Sequence, residues 1–166
     1  MSVDAASFRL APMSRMILVL TLVLLAIPAF FAAAVAFGNR TLEGPAVLVL
    51  AIYAWVWLRF RPTRFVVRRS VIDVVWPLKR RRIPRAGISG VQLIDACELR
   101  RRAGFAMRVG AGGLWGGFGW LWSRRLGIVQ MYVSRTDGLV WIERGAERPW
   151  LITPEEPDAF VRLLSS

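Results

Sequence analysis

Two groups of side chains in this 166-residue chain have types and spacing suited to binding chemistry. The first is arginine: Arg80, Arg81, Arg82 and Arg85, then Arg100, Arg101 and Arg102. A guanidinium offers a planar fork of donors that fits phosphate two bonds at a time. Near an anionic leaflet each cation contributes about 1 kcal/mol, so these seven are candidate lipid- or phosphate-facing residues. The plainer account is a solvated charged face beside a membrane anchor. The second group lies in the stretch 110–122, where Gly112, Gly113, Gly116 and Gly117 alternate with Trp115, Phe118, Trp120 and Trp122. Its spacing is neither that of a dinucleotide fingerprint nor that of a P-loop, which argues against a nucleotide. Tryptophan is favoured at lipid interfaces and supplies much of the energy of protein docking, so the stretch is a candidate interface loop. A loop folded back on its own domain is the plain alternative.

Equipment for catalysis is thin. The chain has no histidine, which removes the commonest general base and metal ligand together. Its one cysteine, Cys97, cannot form an internal disulfide or a cysteine-cluster metal site, and it has no histidine to activate it. Glu155, Glu156 and Asp158 are the one close group of carboxylates, and a helix start accounts for them. No catalytic residue, metal ligand or cofactor is assigned, and a non-enzymatic role is expected.

The elements that must position these residues begin with 16–37, a run of 22 residues without a charge. At 1.5 Å per residue such a helix reaches about 33 Å, enough to cross a bilayer. A signal peptide is the rival reading, but the run is longer than a usual signal core and a second apolar stretch follows it. GNRTLEGP (38–45) makes a turn, and 42–60 forms the second arm of a membrane hairpin, with Tyr53, Trp55 and Trp57 as an aromatic belt. An interfacial or re-entrant segment is the alternative for this shorter arm. Arg9 and Arg15 precede the first span, and Arg59, Arg61, Arg64, Arg68 and Arg69 follow the second, whereas the loop between them holds only Arg40. The positive-inside rule then places both termini in the cytoplasm and the hairpin in the inner membrane. Residues 1–15 are expected to be a short, poorly ordered lead.

Residues 61–166 form the third part. Net charge is concentrated at its start: +10 over 61–108 out of a total of +12. Short Val- and Ile-rich runs between turn residues predict strands at 65–69, 71–76, from 82, 88–94, around Leu99, and at 148–152. The runs 128–133 and 139–143 flank Asp137-Gly138 as a hairpin. Thr153-Pro154-Glu155-Glu156 fits a capping box, and Phe160, Val161 and Leu164 line one face of a terminal helix. Pro157 sits awkwardly for that start, which allows the helix to begin a turn later. Five to seven strands and one helix suggest a small barrel or roll.

A membrane hairpin followed by such a domain resembles the bacterial pleckstrin-homology-like (bacterial PH) proteins. The resemblance rests on the glycine-aromatic stretch 110–120, the following 126–134, and Ile152-Thr153-Pro154-Glu155-Glu156-Pro157-Asp158-Ala159-Phe160. It implies a membrane-anchored, all-β domain with a helical cap: a partly open barrel of seven strands closed by the terminal helix. It implies docking of lipid or protein and no reaction. The basic lipid motif of the eukaryotic relatives has no counterpart beyond Arg68-Arg69-Ser70. The function expected is that of an accessory or scaffold whose domain docks a membrane or cytoplasmic protein or the anionic bilayer surface. The alternative is a lipid-head-group-binding enzyme, or a subunit of a membrane enzyme complex. Nucleic acid is not expected, because a cytoplasmic membrane anchor accounts for the same charge.

Overall fold

The uncharged runs fold as two antiparallel arms in the computed structural model, which describes residues 5–165. Helix α1 spans Arg15–Ala36 and helix α2 Glu43–Arg59, joined through a 3-10 turn at Arg40–Leu42. Arg15–Ala36 and, with the 3-10 turn included, Arg40–Arg59 are long and apolar enough to cross a membrane, yet only 17% and 6% of their most apolar windows are buried. Met16, Val19, Val23, Phe30, Val47 and Leu48 all point away from the protein.

The lead before α1 is not loose where it is described. Ala6–Arg9 forms strand β1, which pairs antiparallel with β2 (Arg64–Val67) just after α2. Leu10 N–H donates to the Thr63 carbonyl, Ala11 N–H to that of Thr153, and the Ser134 hydroxyl to that of Ala11 at 2.6 Å. Phe8 meets Phe160 edge-on at 5.2 Å. The alternation of Phe8 and Leu10 with polar residues gives the lead a face to bury, and this outweighs its terminal position. The helical hairpin therefore leaves from, and returns to, one sheet.

That sheet has the order β1-β2-β3-β4, with β3 at Val71–Val75 and β4 at Arg80–Pro84. A second sheet has the order β5-β9-β10-β8-β7-β6. Its strands are β5 (Gly90–Ile94), β6 (Ala106–Gly112), β7 (Gly117–Ser123), β8 (Gly127–Val133), β9 (Leu139–Arg144) and β10 (Glu147–Ile152). Phe65, Val67, Ile72, Val74 and Ile83 from the first sheet pack against Phe118, Tyr132, Val140, Ile142, Trp150 and Ile152 from the second. Phe160 of the last helix, α4 (Pro157–Ser165), completes this core. Helix α3 (Ala96–Ala103) covers the opposite face of the larger sheet, where Leu99 packs on Ile94, Leu121, Val129, Met131, Trp141 and Leu151.

Three expectations need correction, on strand number, on Leu99 and on the 128–143 hairpin. The described strands number ten in two sheets and do not close into a barrel. Pro84, which has no N–H, ends β4, and a 3-10 turn at Arg85–Gly87 carries the chain across to β5. The strand expected around Leu99 is helix α3, capped by Asp95, whose carboxylate accepts the Glu98 N–H at 2.6 Å. Strands β8 and β9 are not hairpin partners: β10 lies between them, parallel to β8 and antiparallel to β9. Residues 134–138 are drawn aside because the Ser134 N–H bonds the Thr153 hydroxyl while its own hydroxyl bonds Ala11. The same Thr153 hydroxyl is thereby lost as a helix cap, and α4 begins at Pro157, one turn later.

Candidate docking site

Strand alternation decides where the arginines go. In β4, Arg81 is opposite Val74 and shares its inward face, whereas Arg82 is opposite Asp73 on the outer face. Arg82 and Arg68 both pair with the buried Asp73 carboxylate, at 3.5 and 3.4 Å, and Arg80 is exposed. Arg85 closes the end of α4, donating to the Leu163 and Leu164 carbonyls. The second arginine run lies on α3, across the larger sheet from β4. There Arg102 pairs with Glu98 and donates to Gln92, Arg101 offers its carbonyl to Arg125, and Arg100 lines a crevice beside Met16 and Ile17 of α1. The seven arginines thus do not form one face. Of them, Arg81 alone points into the space between the sheets.

The glycine-aromatic stretch is likewise divided. Most of it is not a loop but the hairpin β6–β7, with Gly112 opposite Gly117 and Met107 opposite Trp122. The tip folds onto the helices. Thr21 of α1 donates its hydroxyl to the Gly113 carbonyl at 3.0 Å and accepts the Trp115 N–H at 2.9 Å. Trp115 stands edge-on to Trp57 and Tyr53 of α2, with centroids 4.6 and 6.4 Å apart. Gly113 has φ +91°, a conformation that favours glycine, and a Cβ there would press on the Leu20 side chain at 2.7 Å. Gly116 and Gly117 are buried, and Phe118 is in the core. Of the residues expected to form an interface, only Trp120 and Trp122 remain available beyond the hairpin tip.

Trp120 and Trp122 share the inward face with Phe118, but the four-stranded sheet is too narrow to cover them. They are 41% and 40% exposed, and with Met107, Val109, Ile128 and Arg148 they line an apolar groove of about 360 Å³. Its far end opens into a polar mouth formed by Arg81, Gln130, Arg144, Glu147 and Arg148, with Trp120 and Arg148 common to both. In the mouth Arg81 donates to Gln130 Oε1 at 2.8 Å, and Gln130 donates to the Tyr132 hydroxyl at 2.6 Å. The Arg81 and Arg144 guanidiniums lie 5.2 and 5.3 Å from the centroid of the buried Trp150 ring. Arg144 pairs with Glu147, and burial pulls its guanidinium below the usual value while Glu147 opposes the shift. Burial pushes the Tyr132 hydroxyl up to about 12, against a smaller pull from Arg81.

Met107, Val109, Ile128, Gln130, Arg144 and Arg148 escaped the sequence reading. A signal for the first two was present: Met107 and Val109 alternate with Arg108, and 117–122 alternates glycine or leucine with aromatics, the period of a strand. Arg144 and Arg148 are isolated in sequence and reach the mouth only because β9, β10 and β8 are neighbours.

A sheet domain with an uncovered apolar groove and a basic mouth has the build of a binding module. Residues 63–166 match the family described as Bacterial PH domain, and the chain belongs to that family. No curated protein and no solved structure matches the chain.

Proposed function

We propose that this chain is a membrane-held, non-catalytic docking protein whose PH domain takes a protein partner in the β6–β7–β8 groove, in an accessory or scaffold role. The observation that carries the reading is the groove itself, a contiguous inner-sheet surface of Met107, Val109, Trp120, Trp122 and Ile128 left without cover. Bacterial PH membership supports binding of protein or lipid in general.

The helices supply the anchor. Their outward apolar faces support a hairpin in the inner membrane, and the pairing of β1 with β2 supports a reading in which both ends share one side, the cytoplasmic side by the positive-inside rule. At the exit of α2 the β3–β4 turn is fixed by a bond from Trp76 Nε1 to the Phe60 carbonyl at 3.1 Å. The turn presents Leu78, 64% exposed, with Lys79 and Arg80 beside it, a surface suited to anionic headgroups. Burial lowers the Lys79 ammonium from its usual value, and the Arg59 and Arg81 charges add to the lowering.

In this reading the apolar part of the groove stands off the bilayer, along the hairpin from its tip. Counting from the clamped tip at Gly112–Gly117, Met107 and Trp122 stand five residues along the hairpin, about 17 Å at 3.3 Å per residue. A photo-crosslinking amino acid at Met107 or Trp122, in cells producing the full chain, should give a discrete protein adduct. The same group at Arg69, on the β2–β3 turn, should not. Adducts to lipid alone, or none at positions 107 and 122, would refute protein docking.

A further inference from the structure

The mouth of the groove holds more donors than acceptors. Arg81, Arg144 and Arg148 converge there on a single carboxylate, Glu147, which is engaged with Arg144. Arg81 is bonded to the neutral amide of Gln130. Beneath them, Arg144 Nε and Trp150 Nε1 are buried and have no hydrogen-bond partner among the described residues. Buried donors are normally satisfied, and guanidiniums bond carboxylate or phosphate more strongly than neutral acceptors because two parallel charge-assisted bonds form. The groove adjoining this mouth is apolar and aromatic, and its 360 Å³ lies at the small end of the range of about 300–1,000 Å³ for ligand pockets. It suits a few large side chains.

Resting on the docking reading above, we infer that the partner presents an acidic-apolar segment: large aliphatic or aromatic side chains in the groove, and a carboxylate held by Arg81 and Arg148. The charge imbalance of the mouth selects an anionic group, and the anionic groups that an unmodified protein segment carries are carboxylates. Charge complementarity at the mouth and the large apolar side chains along the groove argue for such a segment, and a bilayer lipid is the other occupant that the test separates. The carboxylate would complete the bonding of Arg81 and leave the Arg144–Glu147 pair in place.

The probe is a library of labelled dodecapeptides in three sets, combining Leu, Phe and Trp with Asp and Glu, with Asn and Gln, or with Lys and Arg. Binding is measured by fluorescence anisotropy to the full chain in nanodiscs of neutral phosphatidylcholine. The acidic set alone should bind, and affinity should fall as salt is raised. Arg148→Gln changes an exposed residue and should weaken binding roughly tenfold without unfolding the chain. Trp120→Ala should weaken it further, because Trp120 lies where groove and mouth meet. Equal binding by the Asn/Gln set, or insensitivity to Arg148→Gln, would overturn the carboxylate assignment, as would the absence of any binder. Short-chain phosphatidylglycerol that displaces the peptides and itself depends on Arg148 would overturn it in favour of a lipid. A protein adduct at Met107 alongside any of these failures would leave docking standing and remove only the proposed chemistry.

Discussion

Trp150 illustrates how much the mouth depends on single side chains. Its indole is buried between the inner face of β10 and two guanidiniums that come from different sheets, Arg81 from β4 and Arg144 from β9. Tyr132 meets the same ring at 5.4 Å, and Trp76 meets Tyr132 at the same distance on its other side. The buried phenol keeps its proton in the folded chain to higher pH than the ordinary 10.0 of an unfolded one. Stability from this group is therefore complete below about pH 10 and is lost as pH rises through about 12. Chemical denaturation in detergent across that window should show a loss of up to about 1.4 kcal/mol per pH unit that Tyr132→Phe abolishes. Equal slopes for the two proteins would show that burial does not perturb the phenol. At this scale the sequence is legible for residue type and poorly legible for direction. Arg80, Arg81 and Arg82 read as one cluster along the chain, and strand alternation separates them onto two faces, with Asp73 taking Arg82.

Among the elements, the β6–β7 hairpin has two tasks at its two ends. The tip joins the domain to both helices through Thr21, Trp115, Tyr53 and Trp57, and the other end displays Met107 and Trp122. Thr21 is 2% exposed, an uncommon place for a hydroxyl unless it is bonded, and here the bonding crosses from helix to hairpin. Thr21→Val keeps the shape but strands the Trp115 N–H, and should destabilise the chain by about 1–3 kcal/mol in thermal or urea unfolding in detergent. Proteolysis at the loosened tip should rise in parallel; an unchanged midpoint would mean that the clamp contributes nothing. The helices were readable from length and hydropathy, because an uncharged run of that size has few other solutions: 16–37 is observed as Arg15–Ala36 and 42–60 as Glu43–Arg59. The terminal helix was readable from its apolar face, although its start moved to Pro157 once Thr153 was used by Ser134. The hairpin was not, because glycine-rich composition suggested a loop while its period of two pointed to strands. The insertion of β10 between β8 and β9 is a long-range choice that no local turn signal reveals, and Asp137-Gly138 pointed to the wrong partner.

For the whole molecule, one side of the domain is committed to its own helices and the basic β3–β4 turn, and the uncovered groove lies along the hairpin away from the clamp. On the docking reading, the groove lies in water while α1 and α2 lie in the bilayer. The most direct test is spin-label accessibility in nanodiscs, on the Cys97→Ser background because Cys97 is exposed. Single labels at Met107, Leu78 and Leu48 report the groove, the β3–β4 turn and the outward face of α2 in its first half. Position 107 should be reached by a water-soluble relaxation agent, position 78 should lie at headgroup depth, and position 48 should be reached by oxygen from the hydrocarbon. A label at 107 that reports lipid depth, or one at 48 that reports water, would contradict the docking reading.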